Sequence, residues 1–289
     1  MNGNWHIGVI GGSGLAAGIG IENAQEIEVS SPFGAPSGPV TTGTLEGVRF
    51  TFLPRHGPGH VIPPAMVNYR ANIDVLKRCG VTDVIALSAI GSLNAAMAPG
   101  HFVAVDQFID RTTSRANSFF GPGLVAHVSL ADPVCPRLSD ALVEAARAEQ
   151  ANVHPGGCYL AMEGPQFSTR AESRLYQSWG ADVIGMTAMP EARLAREAEL
   201  PYALLAMVTD YDSWREAEEG VDAADVMRVM AENIRQARQV VRRFAKQLPA
   251  ERAASPIDRA LDNAIMTAAD KRDPALMARL HAVAGRVLR

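Results

Sequence analysis

The chain has 289 residues, 47% of them apolar and 20% charged, with a formal net charge of −4. Such a composition supports a sizeable core rather than disorder, and its charge balance gives no basis for a nucleic-acid or anionic-membrane partner. The three cysteines, Cys79, Cys135 and Cys158, are an odd number without a CxxC spacing and read as reduced, buried small side chains in a reducing cytoplasm.

The N-terminus enters strand-like sequence at once, without the basic, apolar and cleavage regions of a secretory leader. Residues 6–10 predict a strand that runs into Gly11-Gly12-Ser13-Gly14-Leu15. A glycine turn after a strand lets an anion approach bare N–H groups, and Ser13 adds a hydroxyl. It is equally an ordinary tight turn, and its spacing matches neither GxGxxG nor GxxxxGK[ST]. Residues 32–38 read as a loop. A strand over 48–53 leads into PRHGPGH, where Arg55 and His56 suit a second anion contact. His56 and His60 stand four apart, but a Gly/Pro loop cannot put them on one helical face, so no metal is expected.

A helix over 63–79 carries Met66, Ile73 and Leu76 on its apolar side. A strand over 83–88 then enters a third small-residue turn at Ser88 to Leu93, and the three turns together suggest one oxyanion. After a strand over 102–108, residues 110–136 are irregular and hold Phe119, Phe120 and His127. A loop of this length is either functional or a flap packed by its own side chains. A helix over 136–149 and a strand over 157–162 follow. The next helix, over 168–179, has Ser168 or Thr169 near its cap and Glu172 as a capping partner.

Residues 181–185 read as a strand, Pro190 opens a helix with Leu194, Ala195 and Ala198 on one face, and 202–208 is a wholly apolar strand. The uncharged run around 200–208 is too short to span a bilayer. Met186-Thr187 and Thr209-Asp210-Tyr211-Asp212 sit where the two strands end. Ligands of open α/β sheets bind outside carboxyl strand ends, so both clusters should face one crevice. A long amphipathic helix over 222–248 precedes an Ala/Arg-rich tail, 249–289, expected to form one or two helices docked on the main domain or on a neighbouring subunit.

Eight stretches in order, IGVIGGSGL, LPRHGPGH, VNYRANI, Ser88 to Ser92, QFIDRT, MEGPQFSTRAE, GMTAMPEARLARE and MVTDYDSW, closely resemble the trimeric purine nucleoside phosphorylases. Within them the chain is similar to the 5′-methylthioadenosine phosphorylase branch. The resemblance covers 7–248, which sets a phosphorylase domain over 1–248 and an extension over 249–289 without a counterpart. It implies an α/β domain with a mixed, partly barrel-like sheet flanked by helices, and a homotrimer whose sites are completed across interfaces. The implied reaction is reversible phosphorolysis, in which phosphate is a co-substrate and neither cofactor nor metal takes part.

Carried over by position, the resemblance gives phosphate to Ser13, Arg55, His56, Ser88 with the Ala89 backbone, and Thr187. The purine falls to Phe167 and Ser168 with Asp210 and Asp212 at its edge. Met186 packs under the sugar, His127 stands near a neighbour's 5′ end, and Val221, Ala223 and Val226 suit an apolar 5′ group. Glycosidic cleavage develops positive charge on the sugar and negative charge on the purine. A phosphate dianion stabilises the first, and a carboxyl group held neutral can protonate the second at N7, a role assigned to Asp210. Two carboxylates this close should repel, raising one pKa. Three positions depart from the branch: Ser13 and Ser88 replace threonine, Gly185 replaces an asparagine and leaves 6-amino against 6-oxo preference open, and Gln166 replaces an arginine. A 6-oxopurine phosphorylase is the alternative within enzymes, and a non-catalytic nucleoside-binding protein the alternative outside them.

Overall fold

The computed structural model describes residues 5–12, 15, 19–215 and 223–288, with the backbone alone for 223–227. Among the described residues eleven strands make one sheet. They are β1 His6–Gly11, β2 Glu22–Ile27, β3 Val40–Leu45, β4 Val48–Pro54, β5 Asp83–Ser92, β6 Phe102–Val105, β7 Gln107–Asp110, β8 Val153–Pro155, β9 Cys158–Ala161, β10 Val183–Gly185 and β11 Tyr202–Tyr211. The α-helices whose bounds lie among the described residues are α1 Tyr69–Arg78, α2 Pro136–Ala148, α3 Arg170–Ser178, α4 Ala188–Glu197, α5 Ala223–Gln247, α6 Pro274–Arg279 and α7 His281–Ala284.

The sheet branches at β5. Its first residues pair in parallel with β1, its whole length pairs in parallel with β11, and its last residues pair antiparallel with β10. From β10 the order continues to β9 and β7, and from β11 to β6 and β8. Because β6 and β7 are joined through Asp106, the two branches meet, and β5, β10, β9, β7, β6 and β11 form the partly closed, barrel-like part of a mixed α/β sheet. The expected single strand over 102–108 is therefore two. Asp106 bonds Gly157 through its backbone N–H (3.2 Å) and side chain (3.1 Å), at the point where the chain changes neighbours.

Alternation in β11 explains its apolar sequence. Tyr202, Leu204, Ala206 and Val208 enter one core with α1 and α4, while Ala203, Leu205 and Met207 enter the other with α2 and α5. Regular helix in α4 starts at Pro190, since Met189 is extended. Thr169 caps α3 and forms a capping box with Glu172.

Two further expectations are corrected. The strand expected over 83–88 continues to Ser92, so Ser88 to Ser92 is strand and not a turn. The helix expected over 63–79 is a 3-10 turn, Pro64–Met66, followed by α1, and Met66 is 73% exposed instead of apolar core. Strands β2, β3 and β8 were not expected, β2 (ENAQEI) being exposed throughout. Phe119 and Phe120 are buried, with Phe119 edge-on to Phe33 at 4.9 Å, so these aromatics pack the loop down on the core.

The C-terminal residues dock on their own chain. Leu261, Leu280, Val283 and Leu288 are buried in the α1 and α4 core. Buried Asp83 pairs with both Arg137 and Arg252, and Glu199 with Arg286.

Candidate active site

Carboxyl ends of β1, β4, β5, β10 and β11 converge on a cavity of about 310 Å³. Arg55, His56, Ser88, Ala89 and Thr187 line it together with Phe167, Met186, Asp210 and Asp212. Nine of the expected site residues thus share one space. Ser13 lies outside the described residues, although its neighbours Gly12 and Leu15 line the cavity. Ser168 does not line it; buried behind the wall, it donates to Met162 Sδ at 3.4 Å, and its carbonyl accepts from Ser213. His127 is exposed on the long loop, anchored by its backbone N–H to Ala264 O at 2.8 Å, and is not a lining residue of its own chain's cavity. Val221 and the side chains of Ala223 and Val226 lie outside the described residues.

Ser88 Oγ and Thr187 Oγ1 are 3.2 Å apart. Thr187 occupies the N-cap position of α4 but makes no side-chain cap bond, so its hydroxyl turns to Ser88 and the cavity. The Arg55 fork is held by buried Glu191 through bonds of 2.8 and 2.9 Å. Two further Arg55 bonds go to Leu87 O at 2.9 Å and Ile10 O at 3.4 Å, and Tyr202 donates to Glu191 at 2.9 Å. Burial works against the Arg55 charge, but Glu191 more than offsets it and the guanidinium pKa is raised. His56 Nδ1 faces the Ile62 carbonyl at 2.8 Å, and a carbonyl only accepts, so that nitrogen carries the hydrogen. Burial lowers the His56 pKa to about 4, leaving the ring neutral at pH 7.

The β5–β11 ladder slips between Val208 and Asp210. The irregularity turns the Thr209 hydroxyl onto Ile90 O at 3.1 Å and Asp210 Oδ1 at 2.6 Å. Gly91 lies opposite Asp210, and a Cβ there would come within 3.4 Å of its Oδ2 and 3.5 Å of Asp212 Cβ. Asp212 accepts from the Ser173 hydroxyl of α3. Both carboxyl pKa values are raised, and burial is the leading cause in each. The Asp212 charge contributes to Asp210 only after burial, so repulsion within the pair is not the main effect. Met207, Met230, Ile234 and Leu15 make an apolar end.

Sequence reasoning missed several supporting groups. Arg115, whose side chain is 1% exposed, bonds Glu163 at 2.7 Å and Tyr69 Oη at 3.0 Å. It also donates to the carbonyls of Met186, Met189 and Glu163. An arginine among small polar residues in an irregular stretch gives no sign of this. Glu191 likewise sits in the first turn of an amphipathic helix, where a solvated carboxylate is the ordinary reading. Among the described residues no three His, Cys, Asp or Glu side chains gather into a group that could hold a metal ion.

Residues 6–246 match the phosphorylase superfamily model. An S-methyl-5′-thioadenosine phosphorylase of Cereibacter sphaeroides is 59% identical over 285 residues, covering 98% of each chain, and one of Bradyrhizobium diazoefficiens is 55% identical over the same share. The alignments take in nearly the whole chain, so the tail, which had no counterpart in the sequence motifs, is shared with these relatives. A methylthioadenosine phosphorylase from an antarctic soil metagenomic library superimposes with a TM-score of 0.91 at 41% identity, over 97% of this chain and 99% of that one. The Schistosoma mansoni methylthioadenosine phosphorylase in complex with adenine gives a TM-score of 0.78 at 36% identity, over 83% and 91%. With strand ends, hydroxyls and paired carboxyl groups in one cavity and these matches along its length, the chain belongs to the phosphorylase superfamily.

Proposed function

We propose that the protein catalyses the reversible phosphorolysis of 5′-methylthioadenosine to adenine and 5-methylthioribose 1-phosphate. The observation that carries this reading is the set of side chains gathered in the cavity. Paired hydroxyls and a buried arginine share it with two carboxyl groups of raised pKa. The names of the relatives point the same way.

Phosphate binds between Ser88, Thr187 and the Ala89 backbone, with the Arg55 charge behind it. One of its oxygens bonds to C1′ as the C1′–N9 bond breaks, and the ribosyl cation is stabilised by the phosphate charge. The electron pair of that bond passes to the purine, which takes a proton at N7 from the Asp210 carboxyl group. Asp212, held by Ser173, accepts from the 6-amino group. Met186 packs under the sugar, and the apolar end at Met207, Met230 and Ile234 suits a methylthio substituent better than a hydroxyl.

The active form in this reading is a homotrimer. His127, exposed and away from its own cavity, is free to reach a neighbour's, and Val61 and Met66 offer exposed apolar surface beside the rim residues His60 and Pro64. A monomeric mass in solution at full activity would remove the trimer from the proposal.

Release of free base from 5′-methylthioadenosine, with and without phosphate and beside 5′-methylthioinosine and inosine, tests the reaction. Adenine formed only with phosphate is the expected result. Hypoxanthine from the 6-oxo substrates alone would reassign the base preference. Release without phosphate would make the protein a hydrolase, and no release would make it a binding protein.

A further inference from the structure

The loop after β4 holds two histidines against each other at the cavity. His60 has a φ of 59°, in the left-handed region that a side chain occupies only at a cost of about 1–3 kcal/mol, and such a position persists where its surroundings over-determine it. Two backbone bonds do so here, His60 N–H to Gly57 O at 3.2 Å and Ile62 N–H to His56 O at 3.0 Å. The result is a face-to-face stack, with the His56 and His60 ring centroids 4.2 Å apart and the planes 23° from parallel. Both residues line the cavity, and the reaction set out above gives His60 no part.

The rest of the subsite offers an anion little net charge. A guanidinium has five N–H groups, and Arg55 spends four of them, two on Glu191 and one each on Leu87 O and Ile10 O. Glu191 is as buried as Arg55, so the pair carries no net charge to set against a dianion. Arg115, the other guanidinium that acts on His56, is matched by Glu163. Asp210 and Asp212, in the same cavity, can add only negative charge, and Ser88 and Thr187 are neutral. The His56 ring commits its Nδ1–H to Ile62 O at 2.8 Å. In the neutral ring Nε2 is therefore a lone pair, which repels an oxyanion, and one further proton turns it into a charged donor.

We infer that the His56–His60 stack is the charge-compensating element of the anion subsite: a dianion binds with uptake of one proton from solvent, which His56 holds at Nε2 while the His60 ring supports it from one face. An aromatic face attracts a cation lying against it, which makes His60 a positioning residue for the imidazolium. Burial keeps the His56 ring neutral on its own, so its charge arrives with the anion and not before. The inference rests on the phosphorolysis reading and adds to it a proton and a residue.

Sulfate, which stays a dianion in weak acid where phosphate titrates, is the probe. It is titrated calorimetrically into the full-length chain, in two buffers of different ionisation enthalpy. The expected result is uptake approaching one proton per sulfate and a Kd that rises about tenfold between roughly pH 5 and pH 6. His56→Gln should abolish the uptake and flatten the pH dependence. His60→Phe, which keeps a stacked ring, should retain the uptake, and His60→Ala should weaken sulfate binding about tenfold. A buffer-independent enthalpy with a flat Kd, uptake undiminished in His56→Gln, or no sulfate binding at all overturns the inference. Uptake lost in His60→Phe, or an unaltered Kd in His60→Ala, overturns the part given to His60. Base release by the wild type is assayed in parallel. Release independent of phosphate rejects phosphorolysis itself, whereas phosphate-dependent release beside a proton-silent titration rejects the coupling alone.

Discussion

Asp210 and Asp212 share an environment but not their restraints. Thr209 bonds the first at 2.6 Å, and Ser173 holds the second from α3. Burial raises both pKa values. A raised carboxyl pKa means that the protonated form stabilises the fold, fully below the unfolded pKa and progressively less as pH rises through the folded one. The same shift keeps a proton available for N7. Asp210→Asn should therefore lower kcat/KM on 5′-methylthioadenosine by about 10²-fold or more while sparing 6-oxopurine substrates. It should not lower the melting temperature at neutral pH, because the costly ionised form is gone. Parallel losses on both substrate classes, or a clear drop in melting temperature, would remove Asp210 as the acid. In the wild type, kcat/KM for the 6-amino substrate should decline with rising pH along a limb set above the ordinary carboxylate range.

At the scale of elements the long loop between β7 and α2 is held by two charged groups. Arg115 ties it to the ends of β9 and β10, and Glu197 of α4 accepts from the Ser118 hydroxyl and the Phe119 N–H, each at 2.7 Å. Arg115→Met takes the Oε1 partner from Glu163, whose Oε2 keeps Thr113 and Ser114, leaves several carbonyls short of a donor, and should cost about 3–5 kcal/mol. Arg115→Lys should not restore it, since an ammonium cannot span both strand ends. Urea unfolding of the two variants checks this, and near-wild-type stability of the lysine variant would mean that charge alone matters. Glu197 is a second case. Burial raises its pKa to about 6, so the stability linked to its proton is complete below the ordinary glutamate range and lost as pH rises through about 6. The loss is about 2 kcal/mol. Glu197→Gln should flatten the pH dependence of stability over that window.

These elements also mark where sequence reading works and where it stops. Tyr202 to Val208 is buried on both faces and carries its own signal, as do Thr169 with Glu172 and the polar residues at strand ends. Strand β2 has no apolar period to detect, because it is an exposed edge. Arg115 and Glu191 are invisible for another reason: their ion-pair partners, Glu163 and Arg55, lie 48 and 136 positions away and are brought near only by the fold.

At the scale of the whole molecule, the C-terminal residues complete a core that the first 248 residues leave open. Leu280 is fully buried with Ile73, Leu76 and Leu194 in one cluster, and Leu261, Val283 and Ala284 join it. The seam beside them carries opposite charges on its two sides. Asp83 and Glu199 belong to the main sheet and the α4–β11 turn, while Arg252 and Arg286 come from the tail. Asp83 is fully buried, so loss of Arg252 leaves its carboxylate short of a partner, whereas Arg286 is 42% exposed and its pairing is screened by solvent. Arg252→Ala should therefore destabilise far more than Arg286→Ala. Leu280→Ala should cost about 2–5 kcal/mol through the cavity it opens against α1 and α4. The substitution lies outside the catalytic cavity, so the folded variant should retain its KM for both substrates while its urea midpoint falls. Removal of 249–289 should expose that entire apolar face and yield aggregated protein. A soluble, active 1–248 fragment of undiminished stability would show that the tail is an accessory to the fold and not part of its core.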